Sequence, residues 1–195
     1  MKSRRYGDAG QAFPIYITVV GGLLFLAFAY FAVGQAAANR NDAQTAADAA
    51  ALAAAQDRRE KLADALMRSI NDPTAWAEIF AGYVPGIGPS CWRSHQLAAQ
   101  NDATVLSCTP DGPLGFTVEV VTNGTVGESI VPGTENERSR ERATAVIEPR
   151  CVVKLPVGDA LPLLICAGTE WELAPKTPEE LLPKPEDLFD VHLAD

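Results

Sequence analysis

Residues 39–57 read "NRNDAQTAADAAALAAAQD", and twelve of the twenty residues between positions 36 and 55 are alanine. Alanine has the highest intrinsic helix propensity and no side chain beyond a methyl, so the stretch predicts a helix with a nearly smooth surface. No Pro or Gly occurs between Gly34 and Pro73, and the helix is expected to run unbroken to about Ser69. Further along it, Leu52, Leu62, Leu66 and Ile70 form an apolar stripe beside the charged run from Asp57 to Lys61. A solvated helix has no need of such small side chains, whereas small residues let two helix backbones approach closely. Ala43, Ala47, Ala50 and Ala54, with the small-xxx-small pair Ala32 and Ala36 upstream, are therefore the expected contact with another helix, of this protein or of a partner.

The segment before it explains why a long helix starts here. "FPIYITVVGGLLFLAFAYFAV" (13–33) holds no charged residue, and Pro14 suits the first turn of a helix. A bilayer core of about 30 Å needs about 20 helical residues, so this run is long enough to span. Lys2, Arg4 and Arg5 precede it against one Asp8, while a lone Arg40 follows, which predicts a cytoplasmic N-terminus and an extracytoplasmic remainder. The chain carries −9 overall and its first eight residues +2, leaving −11 for the rest. Such an exterior argues against nucleic acid and against adhesion to anionic lipid. "GQAAAN" (34–39) meets the small-residue cleavage pattern after Ala38, so a secreted product is the alternative. Against it, the apolar run is longer than the ~7–15 residues usual for a signal peptide, and a continuous helix offers no extended cleavage region.

Cys91, Cys108, Cys151 and Cys166 all fall on the outer side, where disulfides persist. Four cysteines allow three pairings, of which the nearest-neighbour one, Cys91–Cys108 with Cys151–Cys166, is favoured. A metal site lacks support: there is no C-x-x-C pair, and His95 and His192 have no ligand spacing with the cysteines.

Asp72 and Pro73 read as the cap and first residue of a short helix to about Tyr83, with Trp76, Ile79 and Phe80 on its packing face. "PGIGPS" (85–90) is a turn cluster, after which short β-branched runs predict strands at 103–108, 115–122, 142–149, 151–156 and 161–167. Residues 123–142 read as a solvated loop opening with the formal glycosylation triplet Asn123-Gly124-Thr125. Residues 170–195 carry eight acidic residues and four prolines, an extended tail with at most a turn or two of amphipathic helix in "PEDLFDVHL". No catalytic motif emerges. Ser94 and His95 are chain neighbours rather than a folded pair, and no H-E-x-x-H, G-x-S-x-G or phosphate-binding glycine loop occurs. Neither a cofactor nor a small-molecule substrate is indicated. The expected class is α+β: a long N-terminal transmembrane helix continuing outside the membrane, a small mainly antiparallel β head, and an acidic Pro-containing tail. Its divisions are a cytoplasmic start (1–12), a span (13–37), a projecting Ala-rich helix (38–70), a head (71–169) and the tail (170–195).

One apolar N-terminal helix entering a disulfide-bonded external head is the layout of pilins. More closely, "GDAGQAFPIYITVVGGLLFLAFAYFAVGQAAANRNDAQTAADAAALAAAQ" (7–56) resembles the N-terminal segment of TadE/TadG-like proteins of tight-adherence (Flp-type) pilus systems, above all in "QTAADAAALAAA" (44–55). The resemblance implies a non-catalytic, single-pass envelope component of a pilus or related secretion apparatus, its partners being pilus-assembly helices or a second copy of itself. Processed pilins are cut after a Gly and commonly carry Glu as the fifth mature residue. A cut after Gly10 would put Ile15 there, so an uncleaved anchor is favoured over a processed pseudopilin.

Overall fold

The computed structural model of the chain describes residues 12–125, 136–154, 163–173, 177 and 181–194. The expected cytoplasmic start up to residue 11, residues 126–135 of the long loop, residues 155–156 and 161–162 of the strands expected at 151–156 and 161–167, and 174–176, 178–180 and 195 of the expected tail lie outside the described residues. Helix α1 (Ala12–Arg68) is continuous over 57 residues, about 85 Å at 1.5 Å per residue. It ends where Ser69 N–H turns back onto the carbonyls of Ala65 and Leu66. Asp72 then caps α2 (Pro73–Phe80), its carboxylate accepting from the Thr74 N–H at 3.2 Å, with Pro73 in the first turn. Trp76, Ile79 and Phe80 of α2 are buried, on the face the sequence assigned to packing. A third helix, α3 (Cys91–Gln100), follows the turn cluster.

Strands β1 (Ala103–Pro110), β2 (Gly115–Thr122) and β3 (Arg140–Pro149) form an antiparallel meander. A second, three-stranded antiparallel sheet holds β4 (Cys151–Lys154), β5 (Leu163–Cys166) and β6 (Thr169–Glu172). After the single turn α4 (Pro185–Leu188), strand β7 (Phe189–Leu193) returns to pair with β3, so the main sheet runs β1-β2-β3-β7. Alternation is clean: Phe116, Val118, Val120 and Thr122 of β2 and Ala143, Ala145 and Ile147 of β3 point to one buried face. α1 crosses that face over β2, β3 and β7, and α3 lies beside it over β1. The fold class is thus α+β, with the apolar helix leading into a small antiparallel head.

Two expectations change. The helix beyond residue 38 does not project free of the head but forms its spine. Ala46, Ala47, Ala50, Ala51, Ala54 and Ala55 have no exposed surface, because the sheet covers one side of the helix and α3 the other. The face left to solvent carries Thr45 and Gln56, and the methyl-only surface of the buried faces is what lets two layers close on the helix at once. The acidic end is not merely an extended tail either. Phe189 is fully buried, its ring 5.2 Å from that of Phe80, and Leu188 is fully buried beside it. The alternation Phe189, Val191, Leu193 against Asp190 and His192 is a strand pattern, outweighed in the sequence by the surrounding charge and proline.

Candidate membrane and assembly interface

Among the described residues, nothing packs over the first third of α1. None of its most apolar window is buried in the molecule, and Phe25, Phe28, Tyr30, Phe31 and Val33 are all exposed. An apolar surface of that size is not stable in water, whereas its length suits a bilayer core. Among its polar side chains, Thr18 is satisfied locally, Oγ1 donating to the Pro14 carbonyl at 2.7 Å, as an apolar surrounding demands. α1 is a candidate membrane span by both length and composition.

The head begins almost where the apolar run stops. Asn39 accepts from Thr122 Oγ1 (3.3 Å) and from the Ser139 N–H (3.2 Å), and Arg40 Nε pairs with Glu141 at 2.7 Å. Asn39 lies six residues beyond Val33, about 9 Å along a helix. The base of the head therefore lies within roughly a headgroup layer of the apolar segment. Beside this collar opens a polar cleft of about 720 Å³, lined among others by Asn39, Asp42, Asn101, Asp102 and Asn123. Asn123, of the glycosylation triplet, is exposed there and accepts from Thr104 Oγ1 at 2.7 Å.

The six alanines expected to meet another helix divide. Ala43, Ala47, Ala50 and Ala54 have zero exposure, and what they meet is this chain's own sheet and α3. Contact there is close: Ser94 Oγ of α3 donates to the Ala50 carbonyl at 2.8 Å. A second chain cannot reach these four without opening the head. Ala32 and Ala36 lie on the part of α1 that the head leaves uncovered, Ala36 exposed and Ala32 half-buried.

Cys91 is bonded to Cys108, tying α3 to β1, and Cys151 to Cys166, joining β4 to β5. Of the side chains weighed for chemistry, His95 is exposed on α3. Ser94 is buried on Ala50, and His192 faces Asp190 at 3.1 Å on the exposed side of β7.

Sequence reasoning passed over Arg58. It follows Ala50 and Ala54 at four-residue steps, so a cation stands in line with the buried stripe, which is the signal that could have marked it. Its guanidinium Nη2 donates to the Gly82 carbonyl at 2.9 Å, its Nε is buried with no partner among the described residues, and burial pushes its pKa below the ordinary value.

Residues 10–57 match the family model described as putative Flp pilus-assembly TadE/G-like. The match covers about a quarter of the chain, and over that segment the likeness read from residues 7–56 holds. No curated protein and no solved structure matches the chain at a significant level.

Proposed function

We infer that this chain is a membrane-anchored, non-catalytic structural component of a tight-adherence pilus or related secretion apparatus. The observation that carries the reading is the continuity of α1. The apolar, uncovered segment and the buried spine of the head are one helix, and the TadE/G-like segment spans both. Such a helix makes the anchor an integral part of the head. The N-terminus is cytoplasmic and the head extracytoplasmic, in keeping with the basic residues before the span and with two disulfides in the head. Cleavage after Ala38 would require a peptidase to act inside a continuous helix, one residue before Asn39 docks on the sheet, and this favours retention over a secreted module. In the membrane, Ala32 and Ala36 present the small surface toward a neighbouring helix of the same apparatus.

Two measurements in the native host test this. The intact mass is expected to begin at Met1; a start at Gln11 would indicate a processed pseudopilin, and one at Asn39 a secreted module. Alkaline phosphatase fused after Asp195 is expected to be active and a green fluorescent protein fusion dark. The reverse pair of results would overturn the orientation.

A further inference from the structure

At the end of the head away from the apolar segment, the β1–β2 hairpin, the turn before α3 and the last third of α1 enclose a cleft of about 450 Å³. Its walls are apolar and stiff: Ile87, Pro89, Pro110, Pro113 and Phe116. Arg58 is the charged residue of the lining. We propose that this cleft is a docking site for a partner protein's extended segment, which places one Asp or Glu carboxylate on Arg58 and its apolar neighbours against the prolines and Phe116.

Arg58 has more donors than this chain uses. A guanidinium offers five N–H donors in a rigid fork. One is taken by the Gly82 carbonyl, while the buried Nε has no partner among the described residues. The ion pairs among the described residues are Arg40–Glu141, Lys61–Asp57, Arg142–Glu119 and His192–Asp190, so among these residues Arg58 has no carboxylate of its own. Asp57, the adjacent acid, is held by Lys61, whose ammonium also bonds the Pro89 carbonyl at 2.7 Å on the rim of the cleft. A half-buried cation left in this state gains most from an incoming carboxylate, which binds such a fork in bidentate fashion.

The remaining features select the occupant. Apolar walls around one guanidinium suit a single negative charge, since a second would enter uncompensated. The −11 remainder of the chain likewise repels polyanions. The volume is within the range of ligand sites and admits a few residues of peptide. Pro110 and Pro113 fix their own backbone, so little ordering is needed on binding. Arg58 stands 25 residues beyond Val33, about 38 Å along the helix. With the apolar segment in a bilayer, the cleft therefore faces partners well clear of the membrane. The docking itself does not depend on the membrane reading.

The test uses the full chain in detergent micelles, labelled with ¹⁵N at arginine and glycine. The probes are the blocked peptides acetyl-Pro-Glu-Leu-amide and acetyl-Pro-Gln-Leu-amide, with butyrate as a free acid. The Glu peptide is expected to move the Arg58 Nε–H resonance and the Gly88 and Gly112 amides saturably, the Gln peptide to leave them in place, and butyrate to bind at least tenfold more weakly. Arg58→Met should abolish the glycine shifts, and Arg58→Lys, which keeps the charge but loses the fork, should weaken binding about tenfold. Absence of any shift, equal shifts with Glu and Gln peptides, or persistence in Arg58→Met would overturn the site. Butyrate binding as tightly as the peptide would overturn the choice of a peptide ligand. Should Arg58→Met fail to fold, the Glu–Gln comparison on the native chain and the Lys variant still decide.

Discussion

Ala50 shows what an alanine can do that no larger residue can. Its carbonyl accepts from the buried Ser94 hydroxyl of α3, while the sheet covers the helix from the other side. Leucine there would push three more carbons into a space with no room, and overpacking of this kind costs about 1–3 kcal/mol. Ala50→Leu is therefore expected to lower the melting temperature of the head by roughly 2–4 °C per kcal/mol lost, measured by circular dichroism in micelles. Gln56→Leu, at an exposed position of the same helix, should leave it nearly unchanged. An equal loss in both variants would mean that the alanines serve helix propensity and not packing. The alanine run was legible as a close-contact surface, since only proximity explains such small side chains. What lies against it was not: alanine is equally suited to a partner helix, a sheet or both, and its one methyl carries no further information. Arg58 was illegible for the opposite reason. Charged residues flank it on both sides in the sequence, and only the fold shows that it faces an apolar cleft while its neighbour Asp57 pairs with Lys61.

Among the elements, those with strong periodicity were read nearly to the residue. The helix expected from Pro14 to Ser69 is found over Ala12–Arg68, and the strands expected at 103–108, 115–122 and 142–149 are β1, β2 and β3 with slightly longer ends. α3 was missed. It carries Cys91, Trp92, Ser94 and His95, all modest helix formers, and Ser90 before it makes no side-chain cap bond. Its buried residues are the small Ser94 and Ala98, so no hydrophobic stripe announces it; the disulfide to β1 and contact with α1 hold it instead. β7 was missed although its alternation was visible, because a strand this near an acidic, proline-containing segment needs a sheet edge to join. That edge is β3, and Phe189 is the residue that secures the pairing. Truncating a buried Phe typically costs about 3–5 kcal/mol. Phe189→Ala is accordingly expected to shift the urea midpoint of the head strongly, with Phe80 losing its ring partner. An unchanged midpoint would mean that the end of the chain is the loose tail its composition suggests.

At the scale of the molecule, the distribution of apolar surface divides the chain in two along one helix. Up to Val33 the large side chains of α1 are exposed; from Ala43 to Leu66 its apolar side chains belong to the core of the head. The joint between the two is polar, made by Asn39 and Arg40 on the base of the sheet. The head's side-chain contacts begin at this joint, and a cut one helical turn before it keeps the carbonyls of residues 35–38 for the N–H groups of residues 39–42, so the head should survive removal of the apolar segment. A variant beginning at residue 35 keeps Asn39, Arg40, both disulfides and the whole core. Light scattering without detergent is expected to show it monodisperse, with a melting temperature within a few degrees of the full chain in micelles, whereas the full chain should aggregate once detergent is withdrawn. A full chain that stays dispersed would contradict burial of the apolar segment in a bilayer. Aggregation of the shortened variant would place part of the head's own stability in the apolar segment, and the continuity of α1 would then be a requirement for folding.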